Sequence, residues 1–192
     1  VHGWRLGAGE LLKCKSENKS TPDDGYHHES GNTKELEGVD AVLVPGGFGS
    51  RGSEGKIMAA NWARENDIPY LGVCFGFQLA IVEFARNVLG MKGANSTELD
   101  KKTKYPVISL LPEQENVKEM GATMRLGDHP VNITKGKARN LYNSNKIEER
   151  HRHRFEVNPD MIEKIESAGM KFTGRNPSGR RMEICELDNH PY

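Results

Sequence analysis

The sequence has 192 residues, a length that suits one domain with a substantial core. Its 27 lysines and arginines balance its 27 aspartates and glutamates, so the formal net charge is zero and no general attraction to nucleic acid or to a membrane surface is expected. Three cysteines without CxxC spacing argue against a disulfide framework or a zinc ribbon and favour a reducing, cytoplasmic compartment.

Residues 1–33 are mostly polar, and the stretch from Lys15 to Asn32 has almost no apolar side chain to offset the entropy of ordering the backbone. They also lack the apolar run of a secretory signal, and no run in the chain approaches the roughly 20 residues of a membrane span. We predict an irregular or disordered lead over residues 1–33 and a folded domain over residues 34–192. Cys14, in the lead, is assigned no role.

The folded part begins with alternating strand and helix patterns. The apolar run Ala41–Val44 ends at a Pro-Gly-Gly turn and predicts a strand that is buried on both faces. Ser53–Arg64 has helical spacing with its serine as N-cap, Pro69–Val73 is a second short strand, and Phe75–Leu89 is an amphipathic helix. This order predicts a βαβ unit and an α/β fold with an open, mostly parallel sheet flanked by helices.

The C-terminal half has shorter β patterns separated by proline and glycine, and we expect a small antiparallel β portion there. The predicted strands are Pro106–Leu111, Ala122–Leu126, His129–Ile133, Met170–Thr173 and Met182–Leu187, and the predicted helix is Pro159–Ala168. Cys185 lies in the last strand, where we interpret it as a packing residue.

The segment from Gly72 to Gly76 carries the chemistry, because it places Cys74 where a strand turns into a helix. A nucleophile on such a turn projects from the sheet edge into a cleft, and the two flanking glycines allow the strand and the helix to approach closely. The unpaired N–H groups and the dipole at the helix N-terminus favour a thiolate. We therefore predict that Cys74 is a nucleophile with a lowered pKa, and a buried packing cysteine is the alternative.

A second glycine-rich segment, Pro45–Gly49, follows the preceding strand at the sheet edge where open α/β folds bind ligands. The backbone N–H groups of Gly47 and Phe75 are predicted to form an oxyanion hole for a tetrahedral intermediate of acyl transfer. The ordered pair of motifs favours catalysis over packing as the role of Cys74.

Six segments occur in an order that is typical of one family: PGGFGSRG, GVCFGFQLAIVEFARNVLG, ANSTE, MRLG, EERHRHRFEVN and NHPY. Over roughly Glu35 to Tyr192 the sequence resembles the glutaminase domain of CTP synthases, a class I glutamine amidotransferase with a flavodoxin-like fold. The resemblance implies that L-glutamine is hydrolysed through a cysteine thioester. It also implies that the ammonia serves the ATP-dependent amination of UTP to CTP in pyrimidine nucleotide biosynthesis.

The resemblance also assigns residues to the glutamine site. Cys74 is the implied nucleophile, and Gly47 is the implied backbone contact to glutamine and oxyanion donor. Glu98 is implied to bind the α-ammonium and Arg154 the α-carboxylate, which matches the charges of these side chains. The other residues implied to line the site are Phe75, Gly76, Phe77 and Gln78.

The run Arg150–Arg154 alternates arginine with histidine. By itself it indicates a solvated basic patch or a weak phosphate site. A metal site is not expected, because the arginine charges oppose a cation and no cysteine or aspartate lies at ligand spacing. The resemblance implies a lid over the cleft, with Arg152 as a candidate contact for GTP as an allosteric effector.

The resemblance places the family's catalytic histidine and glutamate after the HPY stretch, and therefore beyond Tyr192. His190 aligns with that stretch and is not assigned as the base, so we expect the chain alone to hydrolyse glutamine poorly or not at all. Neither the family's first strand nor its synthetase domain is recognised, and the sequence is interpreted as a fragment truncated at both ends. No cofactor is expected in this domain; ATP and Mg²⁺ are expected in the synthetase domain, which binds UTP, and the full-length protein is expected to be a homo-oligomer.

Two alternatives of other classes stay open. A non-catalytic glutamine-binding or regulatory remnant would keep the pocket without the proton shuttle. Another class I amidotransferase or a γ-glutamyl hydrolase would share the glycine turn and the cysteine elbow, although the RHRHRFEVN and MRLG segments argue against both.

Overall fold

The computed structural model describes residues 33–50, 52–111 and 124–191. The predicted lead over residues 1–33 therefore lies outside the described residues, except for Thr33, which begins a short 3₁₀ helix over Thr33–Leu36. The remaining described residues belong to the predicted folded domain.

In the described residues, strands and helices alternate first and strands dominate later. The strands are β1 Val42–Val44, β2 Tyr70–Gly72, β3 Asn95–Ser96, β4 Pro106–Ser109, β5 Arg125–Ile133, β6 Lys146–His153, β7 Glu156–Val157, β8 Met170–Arg175 and β9 Met182–Leu187. The α-helices are α1 Ser53–Glu65, α2 Phe75–Asn87, α3 Lys137–Tyr142 and α4 Pro159–Ser167.

Strands β1 and β2 are parallel and are joined by α1, as the predicted βαβ unit requires. The face of this pair that carries Val42, Val44 and Tyr70 is buried in the core with residues of α1 and α2. The prediction that the first strand is buried on both faces is wrong, because Leu43 is 64% exposed and its register partner Leu71 is 49% exposed. Among the described residues, the second face of β1 and β2 is open.

The other strands form two further sheets. Strands β3, β4 and β7 form one sheet, in which β3 and β4 are parallel and β7 is antiparallel to β4. Strands β6, β5, β8 and β9 form an antiparallel sheet in that order. The predicted α/β class is confirmed, although antiparallel pairs outnumber parallel pairs, four to two, within the described part of the chain.

The antiparallel sheet contains the main differences from the predicted elements. The predicted strands Ala122–Leu126 and His129–Ile133 are, where described, one strand, because β5 pairs with β6 without interruption across Gly127 and Asp128. Strand β6 itself was not predicted, since charged residues are uncommon in strands. Its side chains alternate between exposed and partly buried, so that Arg150 and Arg152 face outward and His151 and His153 face inward.

The core lies between α2 and the sheets. Its largest fully buried apolar side chains come from α2, β4, α4 and β8 and include Leu79, Ile81, Ile108, Ile165 and Met170. Removing such side chains from water supplies most of the stability of a domain of this size. Cys185 packs at the edge of this core, and burial raises its pKa to about 12, as expected for an unreactive packing thiol.

Helices α1 and α2 are also joined by a buried ion pair. Glu83 of α2 has a side chain with 0% exposure and accepts hydrogen bonds from Arg64 of α1, with Nε and Nη2 at 2.9–3.2 Å. Asn87 donates a further hydrogen bond to the same carboxylate at 3.0 Å. Several donors therefore compensate the loss of hydration of this buried charge.

Candidate active site

Cys74 lies at the sharp turn between β2 and α2. Its backbone has φ 55° and ψ −102°, in the left-handed half of conformational space that residues other than glycine rarely adopt. A Cβ on Gly76 would lie 2.1 Å from the carbonyl oxygen of Val44, and one on Gly72 would lie 2.6 Å from the Gly76 backbone. The predicted reason for both glycines is therefore seen directly: strand and helix meet too closely for any side chain.

A cavity of about 270 Å³ opens beside Cys74. It brings together predicted site residues from four separate parts of the chain, namely Gly47, Cys74, Gln78, Glu98, Arg152 and Arg154. Cys74 is partly exposed in it rather than sealed in apolar packing. The spatial requirement for a nucleophile facing a cleft is thus met.

Three residues implied to line the site do not line this cavity with their side chains. Phe75 is 1% exposed and packs in the core, Gly76 lies against Val44, and Phe77 is partly buried against the core. The backbone N–H of Phe75 still acts on the site, because it lowers the pKa of the Cys74 thiol. The substrate-binding roles of these residues stay predictions.

Four lining residues were missed in the sequence: Phe48, Met124, His153 and Phe155. Phe48 is an exposed aromatic residue inside the glycine-rich turn, and His153 and Phe155 flank Arg154. An exposed aromatic side chain within a ligand-binding turn is a signal that could have identified Phe48.

Two polar contacts fix the walls of the cavity. The Gly49 backbone N–H donates to Glu98 Oε1 at 3.1 Å, which ties the glycine-rich turn to the carboxylate. Gln78 Nε2 donates to the carbonyl oxygen of Phe155 at 2.9 Å, which ties α2 to the residue that follows the RHRHR run. The side chains of Glu98 and Gln78, which were predicted to bind the ligand, thus also hold the walls of the cavity in place.

The electrostatics of the ligand-free cavity disfavour the thiolate. Burial raises the pKa of the Cys74 thiol above its ordinary value, and the negative charges of Glu98 and Glu156 raise it further. The Phe75 N–H lowers this pKa without cancelling the rise. The prediction of a lowered pKa is therefore wrong for the ligand-free site, because loss of hydration outweighs the favourable dipole of the helix N-terminus.

Within the described residues, no imidazole contacts the Cys74 sulfur. Its nearest polar contact outside the turn is the carbonyl oxygen of Arg152, at 4.0 Å. His153 lines the cavity, but its Nδ1 lies 3.2 Å from the Phe155 carbonyl oxygen. His190, which was not assigned as the base, has its Nε2 2.9 Å from the carbonyl oxygen of Arg64 at the end of α1.

Behind the cavity, one group of side chains has metal-ligand chemistry. His151, His153 and Glu183 place one possible ligand atom each within 4.8 Å of one another. Glu183 already accepts a hydrogen bond from Arg125 Nη1 at 2.6 Å, and the guanidinium charge opposes a cation there. We assign no metal to this group, and the expectation of no metal stays a prediction.

Comparison with protein families gives one match that covers nearly the whole chain. The family model described as glutamine amidotransferase class-I matches residues 10–192. The match begins inside the segment 1–33 that composition sets apart. It agrees with the resemblance found in the motifs and with the cysteine elbow seen in the structure.

Several curated relatives are CTP synthases of archaea. The chain is 63% identical over 155 residues to that of Archaeoglobus fulgidus, covering 80% of the chain and 29% of the relative. It is 61% identical over 166 residues to that of Thermococcus gammatolerans, covering 85% of the chain and 31% of the relative. With the enzyme of Methanococcoides burtonii, identity is 52% over 193 positions, covering 100% of the chain and 36% of the relative. The chain thus spans about a third of the length of these relatives.

A solved structure is similar in both fold and sequence. The Trypanosoma brucei CTPS glutaminase domain with bound acivicin has a TM-score of 0.71 and 39% identity. The similarity covers 80% of this chain and 58% of that chain.

Proposed function

This chain belongs to the class-I glutamine amidotransferase family, and we propose that it is the glutaminase part of a CTP synthase. The observation that carries the proposal is that Cys74, Glu98 and Arg154 line one cavity. A free amino acid presents an ammonium and a carboxylate, so a carboxylate and a guanidinium beside a thiol suit glutamine. The names of the relatives support the same assignment.

In the proposed complex, the substrate changes the charge balance around Cys74. The glutamine α-ammonium lies beside Glu98, whose negative charge raises the Cys74 pKa in the ligand-free site. Pairing of these charges removes part of that effect, so the thiolate becomes more accessible when glutamine is bound. Arg154 binds the α-carboxylate in the planar, two-pronged geometry that guanidinium groups favour.

The chemistry then proceeds by acyl transfer. The Cys74 thiolate attacks the side-chain carboxamide carbon, a C–S bond forms, and the carbonyl π electrons move to oxygen, where the N–H groups of Gly47 and Phe75 receive the charge. The oxyanion electrons re-form the carbonyl double bond, the C–N bond breaks, and the nitrogen takes up the equivalent of the proton that the thiol lost and leaves as ammonia. Water adds to the γ-glutamyl thioester, the C–S bond breaks, and glutamate and the thiol are released.

The remaining steps belong to the complete enzyme and are proposed by similarity to its relatives. The ammonia aminates UTP to CTP in a synthetase domain that uses ATP and Mg²⁺, with GTP as effector and Arg152 as its candidate contact here. We propose a cytoplasmic homo-oligomer. Among the described residues, no helix has the length and apolarity needed to cross a lipid bilayer.

We test the site through covalent labelling of Cys74. Incubating the purified chain with acivicin, the compound bound to the trypanosomal domain, should give a single adduct on Cys74 that forms saturably and more slowly when glutamine is present. Cys74→Ser should abolish the adduct, and the control Cys185→Ser should leave it unchanged. Labelling that glutamine does not slow, or that occurs on Cys185, contradicts the proposal.

The non-catalytic remnant is separated from the enzyme by turnover. No described histidine contacts Cys74, so we expect ammonia release by this chain to be close to that of Cys74→Ser, while the adduct still forms. Glutaminase activity of the complete gene product that depends on Cys74 supports the enzyme. A complete product that binds glutamine without releasing ammonia supports the remnant.

A further inference from the structure

We propose that His151 and His153 are a hydrogen-bonded pair of fixed tautomer that positions the segment Arg152–Phe155 over the Cys74 cavity. The role as a substrate-positioning device rests on the proposed function of that cavity as a glutamine site. Neither histidine was assigned a role by motif or by similarity. In this proposal they are positioning residues, since they act through the backbone of the segment Arg152–Phe155.

The hydrogen bonds determine which ring nitrogen carries the proton. His153 Nδ1 lies 3.2 Å from the Phe155 carbonyl oxygen, and a carbonyl only accepts, so Nδ1 donates. In a neutral ring the Nε2 of His153 is then an acceptor, and it lies 3.0 Å from His151 Nδ1. His151 must therefore also carry its proton on Nδ1. His151 then donates to His153, and His153 donates to the Phe155 carbonyl.

The surroundings keep both rings neutral, and the hydrogen bonds require this of His153. The two side chains are only 11% and 13% exposed, and burial lowers the pKa of His151 to about 3 and that of His153 to about 4, with the Arg125 charge contributing to both. A protonated ring would turn Nε2 of His153 into a donor that faces the N–H of His151. Protonation of His153 therefore breaks this series of hydrogen bonds.

The hydrogen bonds end where the segment Arg152–Phe155 meets helix α2. The Phe155 carbonyl accepts from His153 and also from Gln78 Nε2, at 2.9 Å, on α2. This one oxygen thus joins the end of the β6 strand to the helix that begins after Cys74. The Arg152 carbonyl, which lies 4.0 Å from the Cys74 sulfur, and Arg154 are in the segment that is held.

At the other end of these hydrogen bonds, His151 has no directional bond to the sheet beneath it. With Nδ1 protonated, the Nε2 of His151 is a bare acceptor, and this buried atom has no hydrogen-bond partner among the residues that the structure describes. It faces Glu183 Oε2 at 3.7 Å, and two acceptors do not attract one another. The sheet beneath therefore supports the pair by packing, while the directional bonds point to the cavity.

The first test reads the tautomers directly and does not depend on glutamine binding. In long-range ¹H–¹⁵N correlation spectra of the ¹⁵N-labelled chain at pH 7, His151 and His153 should both show the neutral Nδ1–H pattern. His151→Ala should remove the hydrogen-bonded shift of His153 Nε2. An Nε2–H tautomer or a charged ring at position 153 overturns the proposal.

The second test measures the rate of Cys74 labelling as a function of acivicin concentration. This gives a half-saturating concentration and a maximal rate for each variant. His153→Ala should raise the half-saturating concentration about tenfold and change the maximal rate much less, because a buried hydrogen bond that positions the ligand is lost. His153→Asn should recover most of the loss, since its amide nitrogen replaces Nδ1. His153→Gln, which places its amide near the position of Nε2, should not.

Controls separate positioning from folding and from the proposed function. Arg150→Gln, on the exposed face of the same strand, should behave as wild type, and iodoacetamide labelling of Cys74 and the melting temperature should show that each variant is folded. If glutamine never slows the labelling of the wild-type protein, the proposed function is contradicted. In that case the tautomer spectra alone test whether His151 and His153 are hydrogen-bonded as proposed. Equal labelling by His153→Ala and wild type, or equal rescue by Asn and Gln, overturns the positioning role.

Discussion

The thiol at residue 74 is surrounded by opposing influences that act at the scale of single groups. One backbone N–H stabilises its ionised form, while burial and the carboxylates of Glu98 and Glu156 oppose ionisation. The ligand-free site therefore holds its nucleophile mostly as a thiol near neutral pH. The charge of Glu98 is the part of this balance that a substitution can remove without changing the shape of the site.

We expect Glu98→Gln to lower the pKa of Cys74 in the ligand-free chain. The glutamine side chain keeps an oxygen for the Gly49 N–H but removes a negative charge whose effect is to raise that pKa. The rate of Cys74 alkylation by iodoacetamide, followed by mass spectrometry between pH 6 and 10, should therefore rise at a lower pH than in wild type.

The matched control is Asp100→Asn, which removes an exposed carboxylate nearby in sequence that does not line the cavity. Its alkylation profile should coincide with that of wild type. If Glu98→Gln gives the same profile as Asp100→Asn, the electrostatic role given to Glu98 is wrong.

At the residue scale, sequence reasoning located the charged and nucleophilic groups better than the groups that hold them. Cys74 was predicted from its motif, Glu98 and Arg154 were implied by the family resemblance, and all three line one cavity. His153 and Phe155 were missed because their contributions are a ring nitrogen and a backbone carbonyl, whose contacts with each other and with Gln78 on α2 form only in the folded chain. The direction of the Cys74 pKa was missed because burial is a property of the folded chain.

The site depends on the close packing contact between strand β1 and helix α2. Gly76 packs its Cα against the Val44 carbonyl oxygen, and an added Cβ would lie 2.1 Å from that atom. No side chain at Gly76 could rotate out of this contact, because the clash involves the backbone on both sides. The spacing of strand and helix is therefore fixed by the absence of one methyl group.

We expect Gly76→Ala to destabilise the chain by about 3 kcal/mol or more, since the helix must move away from the strand. The matched control is Gly55→Ala in α1, where an added Cβ meets nothing within 4 Å. That control should stabilise the chain by ~0.5–1 kcal/mol through helix propensity. Urea unfolding of both variants measures the contrast, and equal stabilities would show that the close contact is not constraining.

The ion pair between α1 and α2 gives a second prediction at this scale. Arg64→Met leaves the fully buried Glu83 carboxylate without its main partner, and we expect a loss of about 3–5 kcal/mol. The double variant Arg64→Met with Glu83→Leu should recover most of that loss, because no uncompensated charge remains. Urea unfolding measures both, and an additive double variant would argue against a direct interaction.

Among the elements, the βαβ unit was predictable and much of the antiparallel sheet was not. The strands and helices from Val42 to Asn87 follow apolar patterns with clear Pro and Gly boundaries, and the structure contains them with small shifts of their ends. Strand β6 carries charged residues on its exposed face, and β5 continues through a Gly-Asp pair that resembles a turn. Only their mutual pairing keeps both segments extended.

For the molecule as a whole, the buried histidines make stability sensitive to acid. Their pKa values, about 3 for His151 and about 4 for His153, lie below the ordinary value of 6.5. The unfolded chain therefore takes up protons as the pH falls below 6.5, while the folded chain does not do so until about pH 4. The charged or titratable groups that face the pair are Arg125, His129, Glu156, Arg181 and Glu183.

We expect the free energy of unfolding to fall on the order of 3 kcal/mol between about pH 7 and pH 5 because of this pair, at about 1.4 kcal/mol per pKa unit. Urea unfolding at both pH values should show a clearly smaller fall for the double variant His151→Asn with His153→Asn. Arg150→Gln should keep the wild-type dependence. An identical fall in all three proteins would place the acid sensitivity elsewhere.

The backbone at Cys74 also affects the whole domain. With φ 55° and ψ −102°, the residue is held in a conformation that glycine adopts far more readily. Cys74→Gly should therefore raise the melting temperature by about 3 °C, after allowance for the greater freedom of glycine in the unfolded chain. Cys74→Ser keeps the strain and should melt near the wild-type temperature, so differential scanning fluorimetry of the pair measures the effect.

It follows that stability and chemistry favour different amino acids at this position. Glycine at this position relieves the backbone and gives up only the contacts of one partly buried thiol. Cysteine at residue 74 thus lowers the stability of the domain relative to glycine, and what it adds is the sulfur that faces the cavity.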